Sequence, residues 1–306
     1  MGLRWISDER LVDICKQLFC ADGAKKASSN LIDPFSMEID IASSGFSSIE
    51  DWEKMEKRRQ NQKTMQNNVG LFHEKVLSSV AGWRKNKMGV DIEDESRLIV
   101  AELKNKYNTV KGSDLKSTYS ELDTALKDRF NSTGKQYLGY YVRIIDRNIG
   151  DSPFTPTNND KGGQKEAYNP FIRKIDGTSF YGLVTGDKDA LYNLYKELPA
   201  VLHEIFPGFP YSNIVNSPKF KEFFGLINVR KAPSDPVAVR DNIPVFSKKY
   251  GYGIVKGITC ESFTVEYGYS GSSNVVRAYP ISPSARPKYN DRLFCENLKD
   301  MILVND

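Results

Sequence analysis

Two acids and an amine sit close together in the stretch VDIEDESRLIVAELKNKYNTVK, where ten residues separate Asp91 from the run Glu102-Leu103-Lys104. Val90 and Ile92 form one apolar pair, Leu98 to Ala101 with Leu103 a second apolar run, and Glu93, Asp94, Glu95 and Ser96 lie between them. This is the pattern of a β-hairpin: a strand ending near Ile92, a tight turn, and a second strand over Arg97–Asn105. Side chains alternate along a strand, so Glu102 and Lys104 share a face, roughly 6.6 Å apart. Asp91 can reach that face from the partner strand. Like charges gathered on a sheet cost stability unless something offsets them. Mg²⁺ would do so, because it takes oxygen ligands, usually one or two carboxylates with waters and substrate phosphate. Here those ligands are Asp91, Glu102 and the Leu103 carbonyl. A polarised phosphoryl group, with a water oriented or deprotonated by Lys104, is the equipment for hydrolysing a phosphodiester. The bland alternative is a solvated hairpin with a surface Glu–Lys pair.

The elements that must hold this hairpin come before and after it. Leu11, Ile14, Cys15, Leu18 and Phe19 recur at helical spacing, which predicts an amphipathic helix over 6–21 with Cys15 in the core. Ser-rich residues 27–48, with Pro34, read as a loop. Residues 51–68 are highly charged, with Lys54, Lys57, Arg58, Arg59 and Lys63 outnumbering the acids, and fit either a solvated helical face or a DNA-proximal arm. Residues 69–83 form a second amphipathic helix, with Leu71, Val76, Leu77, Val80 and Trp83 towards the core and His73 a possible base. After the hairpin, Lys106, Asn108, Thr109, Lys111 and Ser113 suit phosphates and base edges, or are an ordinary polar connection. A helix is expected over 114–130, a buried central strand over 137–145, and a polar loop over 146–167 whose Lys161 and Lys165 can approach a groove. A short strand near 173–175, a turn at Asp176-Gly177 and an apolar run over 180–184 follow. A helix is then expected over 187–206, capped by Asp187 and kinked or broken at Pro199, with one more short helix over 219–227.

The composition narrows the classes. The chain has 306 residues, 40% of them hydrophobic, and a net charge of +4, so it can bury a sizeable core but is only mildly basic. No apolar run of membrane-spanning length occurs, and MGLRWISDERL lacks a signal-peptide core and the usual myristoylation context. Cys15, Cys20, Cys260 and Cys295 form no CxxC pair and there are only two histidines, which argues against zinc and fits a reducing cytoplasm. No Ser/His/Asp or Cys/His set is apparent.

Asp91…Glu102-x-Lys104 resembles the D…(D/E)xK signature of the restriction-endonuclease-like nucleases, a pattern that is short and therefore weak alone. The ordered set GLFHEKVL, VD…AELKNKYNTVKGS, YVRII and IDGTSFYGLVTGDKDALYNLYKELP is far more specific. Over roughly residues 10–230 the chain is similar to the type II restriction endonuclease family whose known members cut the interrupted palindrome GGNCC. The resemblance implies an α/β (α+β) restriction-endonuclease-like core, a mixed sheet flanked by helices, with Mg²⁺-dependent double-strand cleavage. It implies Asp91, Glu102 and Lys104 as catalytic, and Glu74 with them, since a helix glutamate there often helps hold the metal water in such nucleases. An ordinary exposed glutamate is the competing reading. A palindrome is most simply read by a two-fold homodimer.

The C-terminal part departs from that core. The domains expected are the nuclease at 1–230, a Pro-containing linker at 231–244, and a small SH3-like or Tudor-like β-barrel at 245–306. Strands are expected over 252–258, 263–267 and 275–279, and a closing helix over 290–303. Lys248, Lys249, Lys256 and Arg277, with Tyr250, Tyr252, Tyr267 and Tyr269, could contact DNA, or the tyrosines could simply fill the barrel. Two other functions stay open: a modified-cytosine-dependent nuclease gated by the barrel, and a DNA-binding protein without catalysis.

Overall fold

The structure, a computed structural model, describes residues 2–20, 33–45, 48–86, 89–106, 112–146, 150–158, 164–208, 216–218, 220, 244–247, 249–258, 262–268, 275–280 and 302–304. Helix α1 (Asp8–Phe19) begins at Ser7, whose hydroxyl accepts from the Arg10 N–H at 3.2 Å. Its stripe Leu11, Ile14, Cys15 and Leu18 is buried, and burial, then the nearby Cys20, pushes the Cys15 thiol up to about 12. Cys15 is an inert core residue, as its position on the stripe predicts.

The stretch read as a loop contains a helix, α2 (Pro34–Ser44). Pro34 opens it rather than breaking it. At the first helical position the missing N–H costs nothing, and the Asp33 carboxylate accepts from Phe35 N at 3.1 Å. The two pieces expected over 51–83 are one 29-residue helix, α3 (Ile49–Leu77), because neither Pro nor a cap interrupts it near Asn68. It stops at Leu77, earlier than expected, and turns carry the chain on to Trp83. Between Ile49 and Asn68 only Trp52 and Glu56 are buried. The core-facing end is Phe72, His73, Glu74, Val76 and Leu77, whereas Leu71 is 41% exposed, against expectation.

The central sheet runs β1 (Arg84–Lys85), β2 (Ile92–Asp94), β3 (Ile99–Lys106), β4 (Leu138–Ile145), β8 (Ile172–Asp176) and β5 (Asp151–Pro153). The β1–β2–β3 edge is antiparallel, β3–β4–β8 is parallel, and β5 returns antiparallel. The expected hairpin is therefore present as β2–β3. Its turn is closed by Asp94, whose Oδ1 accepts from Ser96 N at 2.8 Å and Arg97 N at 3.1 Å. This holds Leu98 at φ 54, a conformation that side-chain-bearing residues rarely adopt.

Helix α4 (Gly112–Thr133) covers one face of the sheet; a Cβ on Gly139 would lie 3.4 Å from both Leu122 and Leu126. The opposite face packs on α3 and on α5 (Gly177–Thr185), where Phe180 meets Tyr140 at 5.9 Å between ring centroids. The turn expected at Asp176-Gly177 is the start of α5: Asp176 Oδ1 accepts from Ser179 N at 3.1 Å. Helix α6 (Ala190–Ile205) starts after Asp189 instead of Asp187 and runs through Pro199 without a break. The polar loop expected over 146–167 contains β5 and a small pair, β6 (Thr157–Asn158) and β7 (Gln164–Lys165). Most of the short helix expected over 219–227 lies outside the described residues. Burial of each large apolar side chain in this core stabilises it by about 1.5–3 kcal/mol.

A second sheet follows, ordered β12 (Val275–Pro280), β11 (Ser262–Tyr267), β10 (Gly251–Ile258), β9 (Pro244–Ser247) and β13 (Ile302–Val304). All its pairs are antiparallel except β9–β13. Ile302 and Leu303, expected to end a helix over 290–303, fall with Val304 in β13 instead, an apolar run that completes the ladder on β9. Residues 231–243, read as linker, and 290–301 lie outside the described residues. The candidate tyrosines Tyr252 and Tyr267 are both buried: Tyr267 packs with Val245, Val255, Phe263 and Val265 in the second sheet's own core, whereas Tyr252, with Phe246 and Ile254, joins the core of the central sheet. This sheet is tied to the central one. Tyr252 N donates to the Gln136 carbonyl at 3.0 Å and Tyr252 OH to the Arg97 carbonyl at 3.2 Å. Gly251, at φ 77, fits only without a side chain, since a Cβ would stand 2.4 Å from the Gln136 oxygen.

Candidate active site

Asp91 sits where β2 and β3 part. Its N–H donates to the Ala101 carbonyl at 3.1 Å and its own carbonyl accepts from Asn86 N at 2.9 Å. The next acceptor along β3 is its side chain: Asp91 Oδ2 accepts from Leu103 N at 2.7 Å. The carboxylate thus replaces a backbone carbonyl in the ladder, and that hydrogen bond aims it along the sheet edge. In a strand the N–H and C=O of one residue point to the same side, so the Leu103 carbonyl faces this edge too.

One residue to either side, Glu102 and Lys104 point away from the Leu103 side chain and pair with each other at 2.7 Å. Glu102 is 7% exposed. Its carboxyl is pushed up from 4.5 to about 7, first by burial, then by the charge of Asp91, with Lys104 opposing. Asp91 is raised as well, by burial first; the Leu103 hydrogen bond opposes this and Glu74 adds to it. Burial acts to lower Lys104, but the Glu102 contact and the charges of Asp91 and Glu121 outweigh it, so the amine is held as an ammonium. Glu74 is buried near this group and ion-paired with Lys85, which rules out the reading of an ordinary exposed glutamate.

The four acid and amine candidates are therefore brought together, and the donors are all oxygens. Among the described residues no group of three or more His, Cys, Asp and Glu is placed to hold a metal. Two carboxylates and a carbonyl would need water and substrate oxygens to complete a shell, which is the partial set that Mg²⁺ accepts. Two acids crowded in a half-dry site resist ionising together, and a hard cation would relieve that.

The other candidates are scattered. Lys106 ends β3, partly buried; Lys165 is exposed on β7; Ser113 falls in the first turn of α4. Asn108, Thr109, Lys111, Lys161 and Lys248 lie outside the described residues. On the second sheet, Arg277 Nε donates to Tyr250 OH at 3.0 Å and Lys249 lies 5.2 Å from that ring's centre. His73 is not at the site. It is buried, its Nδ1 lies 2.8 Å from Tyr181 OH, and burial pushes it down to about 3, so it stays neutral and structural.

Comparison with known proteins decides the family. Residues 3–207 match the Eco47II restriction endonuclease family. The chain belongs to that family. It is 43% identical over 237 residues to the type II restriction enzyme Eco47II of Escherichia coli, covering 73% of this chain and 98% of that protein. It is 30% identical over 215 residues to the type II restriction enzyme Sau96I of Staphylococcus aureus, covering 66% of this chain and 80% of that one. Membership of the Eco47II family makes the chain a type II restriction enzyme, a site-specific deoxyribonuclease. The family match spans the hairpin, α3 and the parallel strands, and stops before the second sheet. Among the described residues no helix is long and apolar enough to cross a membrane.

Sequence reasoning missed three residues beside the acids. In register across the parallel strands, Glu102 pairs with Tyr141 and Tyr141 with Lys174, while Lys104 pairs with Arg143. YVRII and IRKID carry the alternation that puts Tyr141 and Arg143 on one face of their strand, but only the register brings that face to Glu102.

Proposed function

We propose that this enzyme cuts both strands of DNA at an interrupted palindrome of the GGNCC type, with Mg²⁺ held by Asp91, Glu102 and the Leu103 carbonyl. The observation that carries this reading is the pair of buried acids beside Lys104, with Asp91 fixed by the Leu103 N–H. A bound Mg²⁺ would supply Lewis-acid stabilisation of the phosphoryl oxygens and an acidified water. The protein supplies the rest. The ladder hydrogen bond fixes the Asp91 carboxylate, and burial keeps bulk water from screening the acids. Lys104, held 2.7 Å from Glu102, orients the attacking water in line with the leaving oxygen. Glu74, buried beside Asp91, would help hold a water of the metal. Lys106 and the polar residues that follow it, Asn108, Thr109, Lys111 and Ser113, with Lys161 and Lys165, meet phosphates and base edges. A two-fold homodimer gives each strand one active site.

The domain division follows from the same reading: a nuclease over 1–230, a linker over 231–244 and an SH3-like or Tudor-like module over 245–306. Lys248, Lys249 and Arg277 of that module contact DNA. A second reading, cleavage gated by cytosine modification, is favoured by one observation: the family match ends at 207, and a whole sheet follows it.

Mapping both cut ends on plasmid, methylated and unmethylated, tests these together. Cleavage at GGNCC-type sites in unmodified DNA that stops when the metal is chelated is expected. Cutting confined to methylated DNA would transfer the conclusion to the gated reading, and binding with no cutting in Mg²⁺ would refute both.

A further inference from the structure

The face of the sheet that carries Glu102 and Lys104 continues across β4 and β8 as Tyr141, Arg143 and Lys174. Their neighbours on the opposite face are structural. Arg173 is fully buried and bound to Asp151 at 2.5 Å, and Asp151 also accepts from Tyr140 OH at 2.7 Å. Asp176, by contrast, shares the face of Lys174 and is in register with Arg143, but its carboxylate is engaged in capping α5 and in accepting from Gly150 N at 2.7 Å.

The row itself is underpaired. Tyr141 is fully buried, yet its hydroxyl has no hydrogen-bond partner. That hydroxyl lies close enough to Arg143, Lys104 and Glu102 for each to act on its ionisation. Arg143 is ion-paired through one nitrogen with Asp146 and lies 5.9 Å from the Tyr141 ring, but its buried Nε also has no partner. Lys174 is half-buried, and its ammonium is pushed down by burial first and then by Arg143, with Asp146 opposing. Arg143 and Lys174 thus act on each other in half-buried positions, with Asp146 paired to Arg143 and Asp176 at the end of the row. Desolvating the Lys174 ammonium beside Arg143 costs free energy that an entering anion would offset, and Arg and Lys match the oxygens of a phosphate.

We propose that Arg143 and Lys174, with the buried Tyr141 packed behind Arg143, form a binding row for a phosphate of the DNA other than the one being cut. This rests on the reading of Asp91, Glu102 and Lys104 as the cleavage centre. Neighbouring strands lie about 4.8 Å apart, so Lys174, two strands from Glu102, is roughly 10 Å from it across the sheet. One DNA strand advances about 3.4 Å along the helix axis per nucleotide. The row therefore reaches a phosphate further along the backbone and fixes the strand's direction through the acids.

The test is the salt dependence of binding, measured with the full chain and a labelled duplex carrying the mapped site, without divalent metal. Losing one phosphate contact makes the slope of log affinity against log salt shallower by about 0.9. That loss is expected for Lys174→Gln, with Lys174→Arg restoring the slope. Arg143→Gln combined with Asp146→Asn, which leaves no carboxylate orphaned, is expected to show the same loss. A wild-type slope in Lys174→Gln with an unchanged melting temperature overturns the proposal, whether or not the Arg143 variant folds. Asp91→Asn separates the two readings. If it still cuts, the cleavage centre has been misassigned; if it is dead while Lys174→Gln keeps the wild-type slope, only the phosphate row is wrong.

Discussion

Lys104→Ala is expected to slow single-turnover cleavage by about 10²–10⁴-fold while leaving specific duplex binding within a few-fold of wild type. That range is what a positioned proton-transfer or water-orienting group contributes. The charge is retained at this position because Glu102 and Asp91 outweigh the burial of the amine. Removing it leaves Glu102 without its counter-charge at 2.7 Å, which raises the carboxyl further and weakens metal binding as well. Lys104→Arg keeps the charge but replaces a compact ammonium with a wide planar fork, so it should restore binding of the acids more than it restores rate. Rapid-quench cleavage at saturating enzyme, alongside anisotropy for binding, reads both effects. Cleavage by Lys104→Ala within threefold of wild type would remove the lysine from the mechanism.

The second large effect is with pH. Glu102 is raised from 4.5 to about 7 in the metal-free fold. A raised carboxyl stabilises the fold below its unfolded value, and that contribution is lost as pH rises through the folded value. The metal-free enzyme should therefore lose stability between about pH 4.5 and 7, on the order of 3 kcal/mol in all. Metal binding needs the ionised acids, so added Mg²⁺ should stabilise the protein at pH 8 and do little at pH 5.5. Apparent metal affinity, and cleavage at subsaturating metal, should drop about tenfold for each pH unit below 7 if one proton competes. Glu102→Gln is the control. It should be inactive, yet at pH 8 without metal more stable than wild type, because the amide removes a buried charge pressed against Asp91. Thermal melts across pH, with and without Mg²⁺, give the answer; a wild-type curve that stays flat through pH 7 would contradict the assigned environment of Glu102.

Local pattern carried some parts of this molecule and not others. The β2–β3 hairpin was legible because alternation and polar turn residues are properties of neighbours in the chain. The burial of Glu93 and Asp94 was not. They read as solvated turn residues, but Asp94 closes the turn and Glu93 takes Arg84 at 2.9 Å and Arg129 from α4, contacts set by tertiary packing. Pro34 and Pro199 misled for opposite reasons: the first opens a helix, and the second sits inside one that packing against the core holds together. The convergence of Asp91, Glu102 and Lys104 followed from spacing, whereas the ladder bond from Leu103 needed the strand register. Tyr141, Arg143 and Lys174 were invisible because one parallel register separates the first two from the acids and two separate Lys174. The resemblance to the GGNCC-cutting nucleases rested on an ordered set of motifs, and the match over 3–207 agrees with it.

The most direct test is to locate the metal: crystals of the enzyme with its mapped duplex, soaked in Mn²⁺ as an anomalous substitute for Mg²⁺. An anomalous peak bridging the Asp91 and Glu102 carboxylates, with the Leu103 carbonyl and a phosphate oxygen in its shell, is the predicted result. A peak coordinated by other residues, with Asp91 and Glu102 both outside its shell, would contradict the account.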